Sequence, residues 1–212
     1  MKNIRHFIWD FDGTLFDTYP AIIQDLRFAL REYGCDCDPL EAMRLMLETT
    51  ISETRDHYAD VYGIGREALA DAYSRYGRET MALLQAEPFA ESREVLEHIC
   101  DAGRYNYIFT NREGSEALLY LKKYGLDGCF RDIIGSESPN FAKKPAPDAV
   151  LYLLEKHNIC PDEAVMVGDR DCDLGSGRNA GIRAAHLVCA SVPQTLKCDW
   201  RLTNLRDILA LL

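Results

Sequence analysis

The stretch Phe7-Ile-Trp-Asp-Phe-Asp-Gly-Thr-Leu-Phe16 constrains the fold of this chain more than any other. A short apolar, aromatic run over residues 4–9 ends in two carboxylates, Asp10 and Asp12, with a single residue between them. Such a run, bounded by Asp and Gly, predicts a buried central strand. Like charges at its end repel, and no neighbouring residue neutralises them. A fold that keeps the pair must bring positive charge to it.

The chain downstream alternates between two kinds of pattern. From Asp17 to about Ala86 no strand-like run occurs. Ile22, Ile23, Leu26, Ala29, Leu30 and Tyr33 recur at helical spacing up to Gly34, and further helices are expected near 39–48, 51–62 and 65–84. After Pro88 the reading is helix 91–102, strand 105–110, helix 114–124, strand 132–135, helix 147–157, strand 164–168, helix 171–180, strand 182–188 and helix 204–212. Strands alternating with helices imply a parallel sheet covered by helices on both faces. The expected class is therefore α/β, a doubly wound, Rossmann-like parallel-sheet core formed by residues 1–16 and 87–212. An α-helical domain over 17–86 is inserted in it. In such sheets the ligand site lies beyond the carboxyl ends of the strands.

Composition narrows the partners. With 24 basic against 34 acidic residues the net charge is -10, so a nucleic-acid backbone is repelled on average. No apolar run is long enough to span a membrane and no secretory leader is visible, which makes a cytoplasmic location the expectation. The eight cysteines, Cys35, Cys37, Cys100, Cys129, Cys160, Cys172, Cys189 and Cys198, include no C-x-x-C pair. They are read as reduced, small apolar residues, with Cys172 singled out by its acidic neighbours. Nothing indicates an oligomeric state; a monomer or a weak dimer would both fit.

Polar residues gather where the strands are expected to end. The first strand runs into Asp10-Phe11-Asp12-Gly13-Thr14, the next into Thr110-Asn111, Lys144-Pro145 precedes the following helix, and a later strand runs into Gly168-Asp169-Arg170-Asp171-Cys172-Asp173. This set, in this order, resembles the haloacid dehalogenase superfamily, more narrowly its phosphoglycolate phosphatase-like branch with a helical cap. The resemblance covers the whole chain. The Lys-Pro-Ala-Pro-Asp run also matches the family pattern and selects Lys144 over Lys143.

The chemistry can be read alongside that resemblance. A phosphate ester repels an attacking carboxylate, so a cation is needed, and Asp10 and Asp169 are oxygen ligands suited to Mg²⁺. The resemblance adds the backbone carbonyl of Asp12 as a third metal ligand, and implies that Asp10 is the nucleophile of an aspartyl-phosphate mechanism. It makes Asp12 the group that protonates the leaving oxygen and then deprotonates water. Thr110 would hold a phosphoryl oxygen through its hydroxyl, and backbone N–H groups around Asn111 and the next helix start would hold another. Lys144 would face the phosphoryl group and Asp10, while Asp173 would hold a metal-bound water or orient Lys144. Asp171 is expected to cap its helix, and Arg112 and Arg170 are expected at the solvent-exposed surface, with a second anionic group within reach of Arg112.

Asp12 also limits the reaction class. In the superfamily, dehalogenases lack a carboxylate at that position and P-type ATPases carry Lys there. Relatives that cleave phosphonates use a cap lysine, and 17–86 contains none. The expected activity is hydrolysis of a small phosphorylated metabolite. A sugar-phosphate mutase and a catalytically silent regulator that binds a phosphorylated ligand are the alternatives. Arg27, Arg31, Arg44, Arg55, Arg66, Arg75 and Arg78 are candidates for meeting an anionic substrate, most of them being expected at the solvated surface.

Overall fold

The expected first strand is β1, His6–Trp9, and all four of its residues are buried. The structure is a computed structural model that describes residues 4–83, 85–138, 140–188 and 197–212. After β1 come β2 (Phe16–Asp17) and the helices α1 (Tyr19–Arg31), α2 (Pro39–Glu48), α3 (Ile51–Tyr62) and α4 (Arg66–Leu83). Then follow β3 (Glu87–Pro88), α5 (Ser92–Asp101), β4 (Tyr105–Phe109), α6 (Gly114–Lys123), β5 (Phe130–Ile134) and α7 (Asp148–Lys156). The chain closes with β6 (Ala164–Gly168), α8 (Asp171–Asn179), β7 (Arg183–Leu187), β8 (Trp200–Leu202) and a 3₁₀ helix, Leu205–Leu211. Two compact units result: described residues 4–17, 88–188 and 197–212 form one, and 18–87 the other.

In the first unit six strands make one sheet in the order β5-β4-β1-β6-β7-β8, with every pairing parallel. The chain starts in the middle, builds outward through β4 and β5, then returns to add β6, β7 and β8 on the other side of β1. That reversal makes the carboxyl end of β1 the topological switch point, where a crevice opens in sheets of this kind. Central placement explains the apolar composition of β1, since both its faces are covered. Ile8 joins Tyr107, Phe109, Ile134, Val150, Leu153 and Met166 in one buried cluster. Trp9 is fully buried, and its indole N–H donates to Asn106 Oδ1 at 2.9 Å, so burial leaves no polar group unsatisfied there.

The second unit is held by its own apolar cluster, which includes Ile23, Leu26, Leu30, Met46, Leu47, Tyr58 and Leu69. Its helix starts are specified locally. Asp38 accepts from the backbone N–H groups of Leu40 and Glu41 ahead of α2, and Thr50 and Glu53 exchange hydrogen bonds ahead of α3.

Three sequence expectations are corrected here. The terminal segment is 3₁₀ rather than α, and its buried residues Leu205 and Ile208 stand three apart, which matches a three-residue turn. Strand β8 was not anticipated, because three residues are too few to show an alternating pattern. Strand β5 starts at Phe130, two residues before the apolar Asp132–Gly135 run suggested. The seven described cysteines are free thiols, though only Cys37 is buried and Cys160 is exposed; Cys189 lies outside the described residues.

Candidate active site

Hydrogen bonding along the sheet carries the backbone of Asp10 one step past β1, where its N–H donates to Val167 O at 2.8 Å. Asp10 therefore lies at the switch point, beside the end of β6 and Asp169. Both are buried, Asp10 at 5% and Asp169 at 0% exposure. The chain then turns sharply. Gly13 has φ 76°, a region an L side chain resists, and the amides of Leu15 and Phe16 fold back onto Phe11 O. The turn brings the Thr14 hydroxyl to 3.4 Å from Asp10 Oδ2 and 3.3 Å from Asp169 Oδ1.

Asp173 completes the group. It is the third residue of α8, and its Oδ2 reaches back to accept the Arg170 N–H at 3.0 Å. Asp171 is thus the first residue of the helix and not its cap, as expected from sequence; the carboxylate that serves the helix start belongs to Asp173. Gly168 lets α8 approach this closely, because a Cβ there would lie 2.3 Å from the Asp173 Cβ. One carboxylate oxygen from each of Asp10, Asp169 and Asp173 lies within 4.8 Å of the others, and all three residues are buried.

Lys144 enters from the loop after β5. Its ammonium contacts Asp10 Oδ1 and lies 2.6 Å from Asp173 Oδ1. Its backbone N–H donates to Asn111 Oδ1 at 3.0 Å, so the residue after Thr110 holds the lysine loop in place. Burial works against the lysine charge, but Asp10 and Asp173 outweigh it and hold the ammonium protonated well above the ordinary lysine range. Burial likewise raises the Asp10 carboxyl well above its ordinary value, with Lys144 opposing and Asp173 and Asp169 adding to the rise. Three carboxylates against one ammonium leave two negative charges short of balance in a buried place. Hard oxygen donors with that deficit fit a divalent cation such as Mg²⁺ or Ca²⁺.

Thr110 is 1% exposed at the end of β4. Its Oγ1 accepts the Arg112 N–H at 3.0 Å, which leaves the hydroxyl proton available to donate. The start of α6 differs from expectation. Its first amides, Gly114 N and Ser115 N, donate to the Glu137 carboxylate at 2.8 and 3.0 Å, so Glu137 already fills the anion position there. Nothing in the spacing of Glu137 announces that role, which depends on β5 lying beside β4. His186 was also illegible: buried on β7, its Nε2 lies 3.1 Å from Asp169 O.

Arg112 overturns the expectation of an exposed arginine. Only 14% of its side chain is exposed, and it donates to Asp12 at 2.7 Å and to Glu116 at 3.0 Å. Burial opposes its charge, while attraction to Asp12 and hydrogen bonds with it raise its pKa. Glu116 stands in the first turn of α6 and Arg112 two residues before that helix, so no helical spacing announced the pair. Cys172, singled out by its neighbours, is pushed up to about 12, chiefly by burial, and so stays a thiol.

Of the seven arginines in 17–86, Arg27 and Arg31 bind Asp36, Arg44 binds Glu48, Arg55 binds Asp56, Arg66 binds Asp60 and Arg75 binds Glu32. Arg78, exposed on α4, has no carboxylate partner among the described residues. No described helix is long and apolar enough to cross a membrane.

Known proteins resemble this chain over most of its length. A family model for haloacid dehalogenase-like hydrolases matches residues 7–187. A phosphoglycolate phosphatase from Vibrio parahaemolyticus serotype O3:K6 is 30% identical over 195 residues, covering 85% of this chain and 82% of that protein. A 5'-nucleotidase from Pseudomonas aeruginosa is 25% identical over 177 residues, covering 82% of this chain and 78% of that one. Among solved structures, one described as a predicted phosphoglycolate phosphatase from Haemophilus somnus 129pt superposes with a TM-score of 0.84 at 20% identity. It covers 100% of this chain and 99% of its own, a likeness of fold.

Proposed function

This chain belongs to the haloacid dehalogenase-like hydrolase family, and from that premise we propose that it is a Mg²⁺-dependent phosphatase of small phosphorylated metabolites, working through an aspartyl-phosphate on Asp10. The observation that carries the proposal is the Asp10–Lys144–Asp173 contact beside Asp169. A buried carboxylate stands next to a fixed cation, in a site short of two positive charges. In this reading residues 18–87 are the cap.

Asp10 attacks phosphorus, and the ester P–O bond breaks as Asp12 gives its proton to the leaving oxygen. Water then attacks the phosphorus of the acyl phosphate while Asp12 takes its proton. Inorganic phosphate leaves and the Asp10 carboxylate is restored. Lys144 holds one oxygen of Asp10 and offsets phosphoryl charge, and the Thr110 hydroxyl donates to a phosphoryl oxygen. Asp10, Asp169 and the Asp12 carbonyl would hold Mg²⁺, with Asp173 beside it, and the ion would supply the positive charge that lets two anions approach.

The relatives suggest the first substrates to try: 2-phosphoglycolate, then nucleoside monophosphates. Phosphate release should be measured over a panel of metabolite phosphates with Mg²⁺ and with EDTA. Release of phosphate that requires Mg²⁺ supports the proposal. Phosphate moved between positions of a sugar without release would favour a mutase, and no turnover of any member would overturn the phosphatase reading.

A further inference from the structure

The carboxylate of Asp12 is gripped from one side by a fork. Arg112 Nε and Nη2 lie 2.9 and 2.7 Å from Asp12 Oδ1, and Nε lies 3.2 Å from Oδ2. The remaining arm, Nη1, donates to Glu116 Oε2 at 3.0 Å, and the guanidinium carbon stands 6.0 Å from the centre of the Tyr120 ring. Glu116 and Tyr120 are successive turns of one face of α6. The backbone N–H of the same arginine donates to the Thr110 hydroxyl at 3.0 Å.

This differs from the arginine pairs at the surface. Arg44 and Glu48, for example, are 60% and 37% exposed, and such pairs are screened and mobile. Arg112 and Asp12 are 14% and 20% exposed, and the contact joins residues 100 apart in sequence. The fork ties the loop after β1 to the loop after β4. A guanidinium held by carboxylates on two sides is also poorly placed to read a substrate anion, the role open to it from sequence.

We propose that Arg112 is a positioning residue for Asp12 and that Glu116 keeps Arg112 in register; this rests on Asp12 being the proton-transfer group of the phosphatase. Asp12 follows Phe11 on a tight turn, and its side chain has two rotatable bonds. Proton transfer needs the carboxylate within about 2.6–3.2 Å of the ester oxygen and later of water. A displacement of about 1 Å can cost a factor of about 10². A planar, bidentate fork fixes both the place and the plane of the carboxylate, which a lysine ammonium cannot do. Because one residue orients both Asp12 and the Thr110 hydroxyl, the proton donor and a phosphoryl-oxygen donor are set together.

The test compares Arg112→Gln, Arg112→Lys and Glu116→Gln with wild type. The substrates are 2-phosphoglycolate or glycerol 2-phosphate, whichever turns over faster, and p-nitrophenyl phosphate, whose leaving group needs little proton assistance. Arg112→Gln should lower kcat on the alkyl phosphate roughly ten- to hundredfold while KM moves less than about threefold. Formation of phosphoenzyme from p-nitrophenyl phosphate should fall far less. Arg112→Lys should lie between, and Glu116→Gln should show a smaller loss of the same kind. In an Asp12→Asn background, Arg112→Gln should cause no further loss, since the arginine acts through Asp12. If Arg112→Gln does not fold, Arg112→Lys and Glu116→Gln carry the same comparison. Wild-type rates in these variants, equal losses in phosphoenzyme formation from both substrates in folded protein, or losses that multiply with Asp12→Asn would each overturn the role of Arg112. A wild-type protein that turns over neither these substrates nor any member of the metabolite panel would instead overturn the phosphatase reading beneath it.

Discussion

Lys144 Nζ lies 2.6 Å from Asp173 Oδ1, and the other oxygen of the same carboxylate accepts the Arg170 N–H at 3.0 Å. One side chain therefore serves two ends. It anchors the ammonium that faces Asp10, and it completes the start of α8. Asp173→Ala removes both contacts in a place that is 1% exposed. Urea unfolding should show a loss of about 1–3 kcal/mol, with Asp173→Asn recovering part of it through its amide oxygen. Unchanged stability in the alanine variant would mean that the carboxylate is not holding the lysine.

Asp10→Asn should abolish phosphate release and leave the fold intact. Burial raises the Asp10 carboxyl above its ordinary value, so the ionised group is a burden on the folded state at neutral pH. The variant should thus melt at or above the wild-type temperature. A purified variant with substantial turnover would rule out Asp10 as nucleophile.

Metal binding can be read without any substrate. The buried excess of negative charge at Asp10, Asp169 and Asp173 should make the wild-type protein melt higher with Mg²⁺, by an amount worth about 2.7 kcal/mol at a hundredfold excess over Kd. Asp169→Asn should lose most of that shift. EDTA should abolish turnover, Mg²⁺ should restore it, and Ca²⁺, which favours looser and more numerous ligands, should not. An equal Mg²⁺ shift in Asp169→Asn would place the ion elsewhere.

His6 supplies a pH test away from the site. It is buried, with Nδ1 3.1 Å from the Tyr107 hydroxyl, and burial with nearby arginines lowers its pKa from 6.5 to about 4. Between those values the unfolded chain holds a proton that the folded chain does not. The contribution of His6 is therefore intact above pH 6.5 and is lost as the pH falls towards 4. Urea titrations at several pH values across that window should show wild type losing stability, relative to His6→Gln, as the pH drops. Parallel curves for the two proteins would show that His6 titrates normally in the fold.

Much of the site was legible in the chain because its residues are carried by local signals. An apolar strand that stops at Asp10, a glycine at position 13, a Thr-Asn after a second strand and an acidic helix start after a third each mark a strand end. Parallel strands align such ends on one edge, so Asp10, Thr110, Lys144 and Asp169 could be grouped before any contact was known. The periodicity of residues 19–83 was equally local, and the four helices there fall close to the expected bounds.

What the tertiary structure decided is the set of partners. Arg112 looks like a surface residue from its neighbours, and only the adjacency of β1 and β4 brings it onto Asp12. Glu137 caps α6 because β5 lies beside β4, and Asp173, rather than Asp171, serves the start of α8 because its carboxylate turns back over Gly168. A sequence can name groups that hydrogen bonding along the chain will leave at a strand end. Which charge meets which is set by sheet order and burial, since a buried ion is tolerated only where the fold brings its counterpart within contact.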